Sequence, residues 1–266
     1  MEHGVQRTSR YDADRARAWH LSILIGQGLA AWSAHDAQDG TPHAMAWGPG
    51  MEALRHKSLP RQPVTVSYVG LPQWSTLVPE GALAPGSGAK HLALTHGGMP
   101  SGAMREEALP DLGAVCIYTH DDRDERQVME RHPNARPLPM QALMARTAQR
   151  MADGGPLLLL HRGQERLDAA VHDGGRLLLS NTYPVRAAND VLYFALLALE
   201  TCGLSPFTTR LVAGGTHLHI GERELLGRYF KELAADQDTV WADVREGGQA
   251  PAGRWMALLE QFACVS

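Results

Sequence analysis

Apolar positions along the chain fall into short blocks bounded by glycine, proline and polar residues, and few of them keep a helical period. Leu21–Ile25, Leu29–Ser33 and His43–Trp47 read as three strands, with Asp39-Gly40 as a hairpin turn before the third. A short helical stretch over Met51–Lys57 follows, then a β-branched run at Val64–Val69. The stretch Ser75–Leu83 leads into a Gly/Pro/Ser-rich loop at Pro85–Gly88, a strand at Lys90–Thr95 and a second loop at His96–Arg105. Ala114–Thr119 is a strand, and Asp121–Arg131 is a charged, solvated helix. Met140, Leu143, Met144, Thr147, Ala148 and Met151 recur at helical spacing. Asp153-Gly154-Gly155-Pro156 is the strongest breaker and the expected domain boundary. Beyond it Leu157–His161, Leu167–His172 and Arg176–Asn181 form an antiparallel meander with short turns. A helix over Asn189–Cys202 is apolar on nearly every face and is expected to be buried, with Asn189 or Asp190 as its cap and Gly203 after its end. Arg210–Ala213 is a strand, Glu222–Ala235 an amphipathic helix, Thr239–Val244 a strand, and Trp255, Leu258, Leu259 and Phe262 mark a terminal helix.

The order strand–strand–strand–helix–strand therefore begins twice, at Leu21 and at Leu157. Such a unit is ribonuclease-H-like, and two in one chain make the actin-like ATPase architecture. The expected fold is α/β, with two ribonuclease-H-like subdomains, each a mixed sheet flanked by helices. Residues 1–18 are expected as a flexible tail, 19–153 as the first subdomain and 154–266 as the second. Two stretches carry a resemblance. Thr76, Leu77, Val78 and Pro79 lie in the first, Ser75–Leu83. Asn181, Asp190, Tyr193, Phe194 and Leu204 lie in the second, Leu177–Pro206. From Trp19 onward the chain resembles an uncharacterised, chiefly Bacteroidetes family of domain-of-unknown-function proteins. That resemblance implies the same duplicated fold and assigns no reaction.

Composition narrows the classes. Of 266 residues, 44% are hydrophobic and 20% charged, which excludes wholesale disorder. A formal net charge of −4 gives no general pull toward nucleic acid, and no basic–aromatic stripe suggests a single strand. Cys116, Cys202 and Cys264 lie far apart without a CxxC pair, which suits a reducing compartment. The first eighteen residues lack the apolar core of a secretory signal, and the longest apolar run, Val191–Leu199, is too short for a membrane span. A cytoplasmic location is expected.

In an actin-like ATPase the first hairpin of each half carries an acidic residue and glycines, so that metal and backbone N–H groups meet phosphate. Here the first turn offers Gly26 and Gly28 around Gln27 without an aspartate, and the second offers Arg162 and Gly163 before Gln164-Glu165. Gly214 and Gly215 end a strand where the fold packs adenosine. These six residues are the candidate nucleotide or small-ligand contacts. Each group also reads as an ordinary tight turn. His217 and His219, at i, i+2, suit a zinc pair on a strand or a polar loop. His120, Asp121 and Asp122 suit a divalent cation or a capped helix start. Two functions follow. One is a non-catalytic scaffold that works through an unidentified protein partner, with a degenerate cleft in which ATP and magnesium remain possible. The other is a divergent ATPase or phosphotransferase that holds magnesium through Asp168 or Asp173.

Overall fold

The computed structural model describes residues 3–98, 102–234, 244–247 and 253–265. Its first sheet contains β1 (Gly4–Arg7), β2 (Trp19–Gly26), β3 (Leu29–Asp36), β4 (Pro42–Pro49) and β5 (Thr65–Leu71). Three strands from β6 (Trp74–Pro79), β7 (Arg105–Leu109) and β8 (Ala114–Thr119) form a separate small sheet, with α1 (Gly88–His96) between the first two in sequence. The chain returns through α2 (Asp122–Met129), β9 (Arg136–Pro137) and α3 (Met140–Met151). The second sheet contains β10 (Leu157–Arg162), β11 (Arg166–Asp173), β12 (Arg176–Pro184), β13 (Arg210–Gly214) and β14 (Glu232–Ala234). Helices α4 (Ala188–Thr201) and α5 (Ile220–Gly227) belong to this half. β15 (Val244–Gly247) and α6 (Met256–Leu259) complete the described chain.

The duplication is explicit in the strand orders. The first sheet runs β15-β1-β4-β3-β2-β5-β9 and the second β12-β11-β10-β13-β14. Without its two added strands, the first repeats the second position for position. In each half a meander is joined by a parallel pairing, β2 with β5 and β10 with β13. Two-residue turns close the β2–β3 and β11–β12 hairpins. Gln27 and Gly28 have φ of 55° and 76°, and Gly174 and Gly175 have 53° and 81°, the left-handed pair that matches strand twist.

One apolar cluster joins the halves. Leu24, Trp47 and Val69 from the first sheet meet Leu157, Leu159 and Val212 from the second, with Leu143 and Met144 of α3 and Met256 and Leu258 of α6. The other face of each sheet has its own cluster, around Trp19 and Trp32 in the first and around Leu160, Val191 and Leu199 in the second.

Several expectations need correction. The supposed tail is ordered: β1 pairs with both β4 and β15, and Tyr11 lies 5.1 Å from Trp19 and 6.4 Å from Trp32, ring to ring. Lys90–Thr95 lies in α1, where only Leu92 of its apolar side chains is buried and Leu94 is exposed. The helix expected over Glu222–Ala235 ends at Gly227, and Leu233 instead pairs in parallel with Leu211. Ala235, residues 239–243 of the expected strand and residues 99–101 of the second loop lie outside the described residues. The terminal helix is one turn of α-helix and a 3-10 turn at Phe262–Cys264. No helix among the described residues is long and apolar enough to cross a membrane.

Candidate functional site

Between the halves lies a cleft of about 670 Å³, walled by Gln27, Trp74, His96, Gln164, Arg166 and Thr182 among others. The two hairpins that the sequence singled out reach its rim, and the start of β6 and the end of β12 form its sides. Trp74 stacks on His96 at 5.5 Å. Burial holds the His96 imidazole below its usual range, against the hydrogen bond between its Nε2 and the Ser75 carbonyl, 3.0 Å away.

The floor is a buried polar network around Asp168. On β11, Arg166 and Asp168 are two apart and share a face. Asp168 stands opposite Thr182 on one side and opposite His161 on the other. Arg166 Nη2 donates to Asp168 Oδ1, and Thr182 Oγ1 donates to the same oxygen over 2.8 Å. Arg166 Nη1 donates to the Gln73 carbonyl. Gln73 accepts from the Met140 amide at 2.5 Å and donates to the Leu138 carbonyl, while Gln141 donates to Thr182 Oγ1 at 3.1 Å. Burial pushes the Asp168 carboxyl up, but the charge and hydrogen bond of Arg166, together with the neighbouring His161, whose Nδ1 is 3.6 Å from Oδ2, outweigh it and hold it well below the usual carboxylate range. Sequence reasoning missed Gln73, Arg166 and Thr182. The i, i+2 spacing of Arg166 and Asp168 was the one available signal.

The sequence candidates divide between different surroundings. Arg162 is buried. Its Nε donates to Glu222 Oε1 at 3.1 Å and its Nη1 to the carbonyls of Gly163 and Gln164. Glu222 also accepts from the His219 amide at 2.9 Å. A Cβ on Gly26 would stand 1.8 Å from the Leu71 carbonyl oxygen, and one on Gly215 would stand 2.4 Å from the Arg162 nitrogen. One on Gly214 would meet the Gly253 carbonyl at 2.5 Å. These three glycines admit the chain's own backbone. Gly163 donates its N–H to the Arg166 carbonyl, and Gly28 alone of the six faces open space. Gly215 lines a second, smaller cavity with Thr216, Arg223 and Arg254, not the cleft.

These residues do not fit a magnesium nucleotide. The first hairpin holds no carboxylate, Arg162 and Arg166 are engaged by Glu222 and Asp168, and Glu165 is exposed in the cleft wall with no ion pair among the described residues. Of the two carboxylates considered for magnesium, Asp168 is 1% exposed and already paired. Asp173 ends β11 five residues further on, ~17 Å along the strand. His217 and His219 lie in the loop after β13, and His217 Nδ1 is 3.0 Å from Thr216 Oγ1. Asp121 caps α2 by accepting from the Arg123 amide at 2.7 Å. No group of three metal-ligating side chains occurs among the described residues.

Residues 68–233 match the profile of a family described as a protein of unknown function, DUF3822. No curated protein matches the sequence. Among solved structures, the chain is similar to a Bacteroides thetaiotaomicron protein with an actin-like ATPase fold and unknown function. The TM-score is 0.67 at 14% identity, over 82% of this chain and 91% of that one. A weaker likeness is to the cytoplasmic domain of EpsL, an inner membrane component of the type II secretion system of Vibrio cholerae. There the TM-score is 0.48 at 15% identity, over 93% and 95% of the two chains. The first likeness shows the actin-like fold.

Proposed function

The chain belongs to the DUF3822 family of proteins of unknown function, and from that membership and its cleft we propose that it is a non-catalytic actin-like scaffold that works through a protein partner. One observation carries this reading: Arg166, the arginine that lines the cleft, is paired with the buried Asp168, and Arg162 behind the second hairpin is paired with the buried Glu222, while Glu165 in the cleft wall has no ion pair among the described residues. Phosphoryl transfer depends on cations and metal positioned at the transferred group. A triphosphate entering this cleft meets a negative charge where it needs positive ones. The same lining, with aromatic, amide and hydroxyl groups, suits a neutral or cationic ligand better than a polyphosphate.

The test is phosphate release by the purified chain with magnesium-ATP, beside Asp168→Ala and Asp173→Ala. The expected result is no release above buffer from any of the three. Release that either substitution abolishes would replace the scaffold by an ATPase.

A further inference from the structure

β12 is the longest strand described, and among the described residues it is an outer edge of the second sheet, bonded to β11 on one side only. At such an edge alternate residues turn their N–H and C=O outward, ready to pair with another strand. Folded proteins blunt these edges with charge, proline or a bulge. β12 has a bulge at Leu178, where its register against β11 shifts. From Leu179 to Tyr183 it carries neither charge nor proline, although the Thr182 N–H is engaged by Asn181 Oδ1 at 2.9 Å. Alongside runs an apolar shoulder. Phe194 of α4 stacks on Tyr183 at 4.6 Å, Leu179 and Leu197 are only partly buried, and Tyr193 is 61% exposed. An edge strand beside an apolar helix flank is the geometry in which an extended peptide joins a sheet, with backbone bonds for affinity and alternate side chains for specificity. The far end of the edge opens into the cleft, since Thr182, Tyr183 and Pro184 line it.

We propose that β12 and the flank of α4 dock an extended segment of a partner protein, apolar at alternate positions and acidic at its ends. The proposal rests on the scaffold reading above. The alternation follows from the shoulder, which lies on one face of the strand. The acidic ends follow from charge. Arg176 begins the strand and Arg186 follows its end; both are exposed and neither side chain forms an ion pair among the described residues, although Asp173 stands across the turn from Arg176 and the Asp190 carboxylate accepts from the Arg186 amide at 2.8 Å. A second copy of this chain fits worse. Antiparallel self-pairing about Asn181 would set Arg176 against Arg186 at both ends, and like charges opposite each other destabilise a strand pair.

A random ten-residue peptide library displayed on phage, panned on the full chain, tests this. The expected peptides alternate apolar residues between acidic ends. The best of them, synthesised, should bind Arg176→Glu/Arg186→Glu about tenfold more weakly, with the variant's melting temperature unchanged. It should also slow amide exchange over Leu179–Tyr183. Absence of enrichment, peptides without alternation, or binding indifferent to the double variant overturns the proposal. So does a dimer of the chain alone, seen by sedimentation and lost in Leu178→Lys, because the occupant is then a second copy. Phosphate release is read separately. Failed docking without turnover removes this surface alone, and turnover with docking removes the scaffold reading alone.

Discussion

Asp168 is a carboxylate almost without water, so protein groups must meet its charge, and Arg166, Thr182 and His161 do so. Removing one member leaves the other charge buried and unpaired. Arg166→Met should therefore cost about 3–5 kcal/mol in urea unfolding, while Arg166→Met with Asp168→Leu should recover much of that loss. A double variant as unstable as the single one would show that the pair stabilises the fold in its own right. The buried histidines act in another pH window. Burial first, then the neighbouring His35, pushes His20 down to about 3, and burial pushes His35 down to about 4 against its bond to the Gly40 carbonyl. Unfolded, both titrate near 6.5, so below that value the unfolded chain binds more protons and stability falls. The melting temperature should be flat above pH 6.5 and drop steadily toward pH 4, with a shallower drop in His20→Gln. A melting temperature that does not change over this range would mean that neither ring is held neutral by the fold.

At the scale of elements, α4 separates composition from burial. Its sequence is apolar nearly all round, yet only Val191, Ala195, Ala198 and Leu199 are buried. Leu199→Ala should cost about 2–5 kcal/mol through the cavity it leaves, and Tyr193→Ala should stay within about 0.5 kcal/mol. Equal losses in denaturant melts would mean that something covers the outer face in solution. The meander strands β10 to β12 and the α3 helix were legible because period and turn residues agreed over each element. Other elements were not legible, for identifiable reasons. β1 is four residues whose partners lie near Trp47 and Gly247, so only distant pairing makes it a strand. α1 buries a single leucine and has no apolar stripe to reveal it. Leu233 continues the spacing of Leu225, but its parallel pairing with Leu211 overrides that local preference. The candidate site suffered from the same non-locality. Glycines at tight turns read like ligand cradles, and the groups that fill those spaces, Leu71, Arg162 and Gly253, are remote in sequence.

The whole molecule poses the question whether two similar halves are two folding units. The turn Asp153–Pro156 is a clean break in the chain, and the Asp153 side chain is 84% exposed. The core does not break there. Both sheets, α3 and α6 share one apolar cluster, and the floor of the cleft ties Gln73 and Gln141 of one half to Arg166 and Thr182 of the other. The end of the chain crosses back as well. Gln261 donates to the Ile23 carbonyl at 2.9 Å and accepts from Ser67 Oγ at 2.8 Å, both in the first sheet. Unfolding either half exposes the inner face of the other, and a domain unfolds as one unit when its parts share their buried surface. Calorimetry should therefore show a single transition whose calorimetric and van't Hoff enthalpies agree. A protease site inserted between Gly154 and Gly155 should give fragments that still elute together after cleavage, with the transition at a lower temperature. Two resolved transitions, or fragments that separate while folded, would make the duplicated halves independent domains and the cleft a hinge between them.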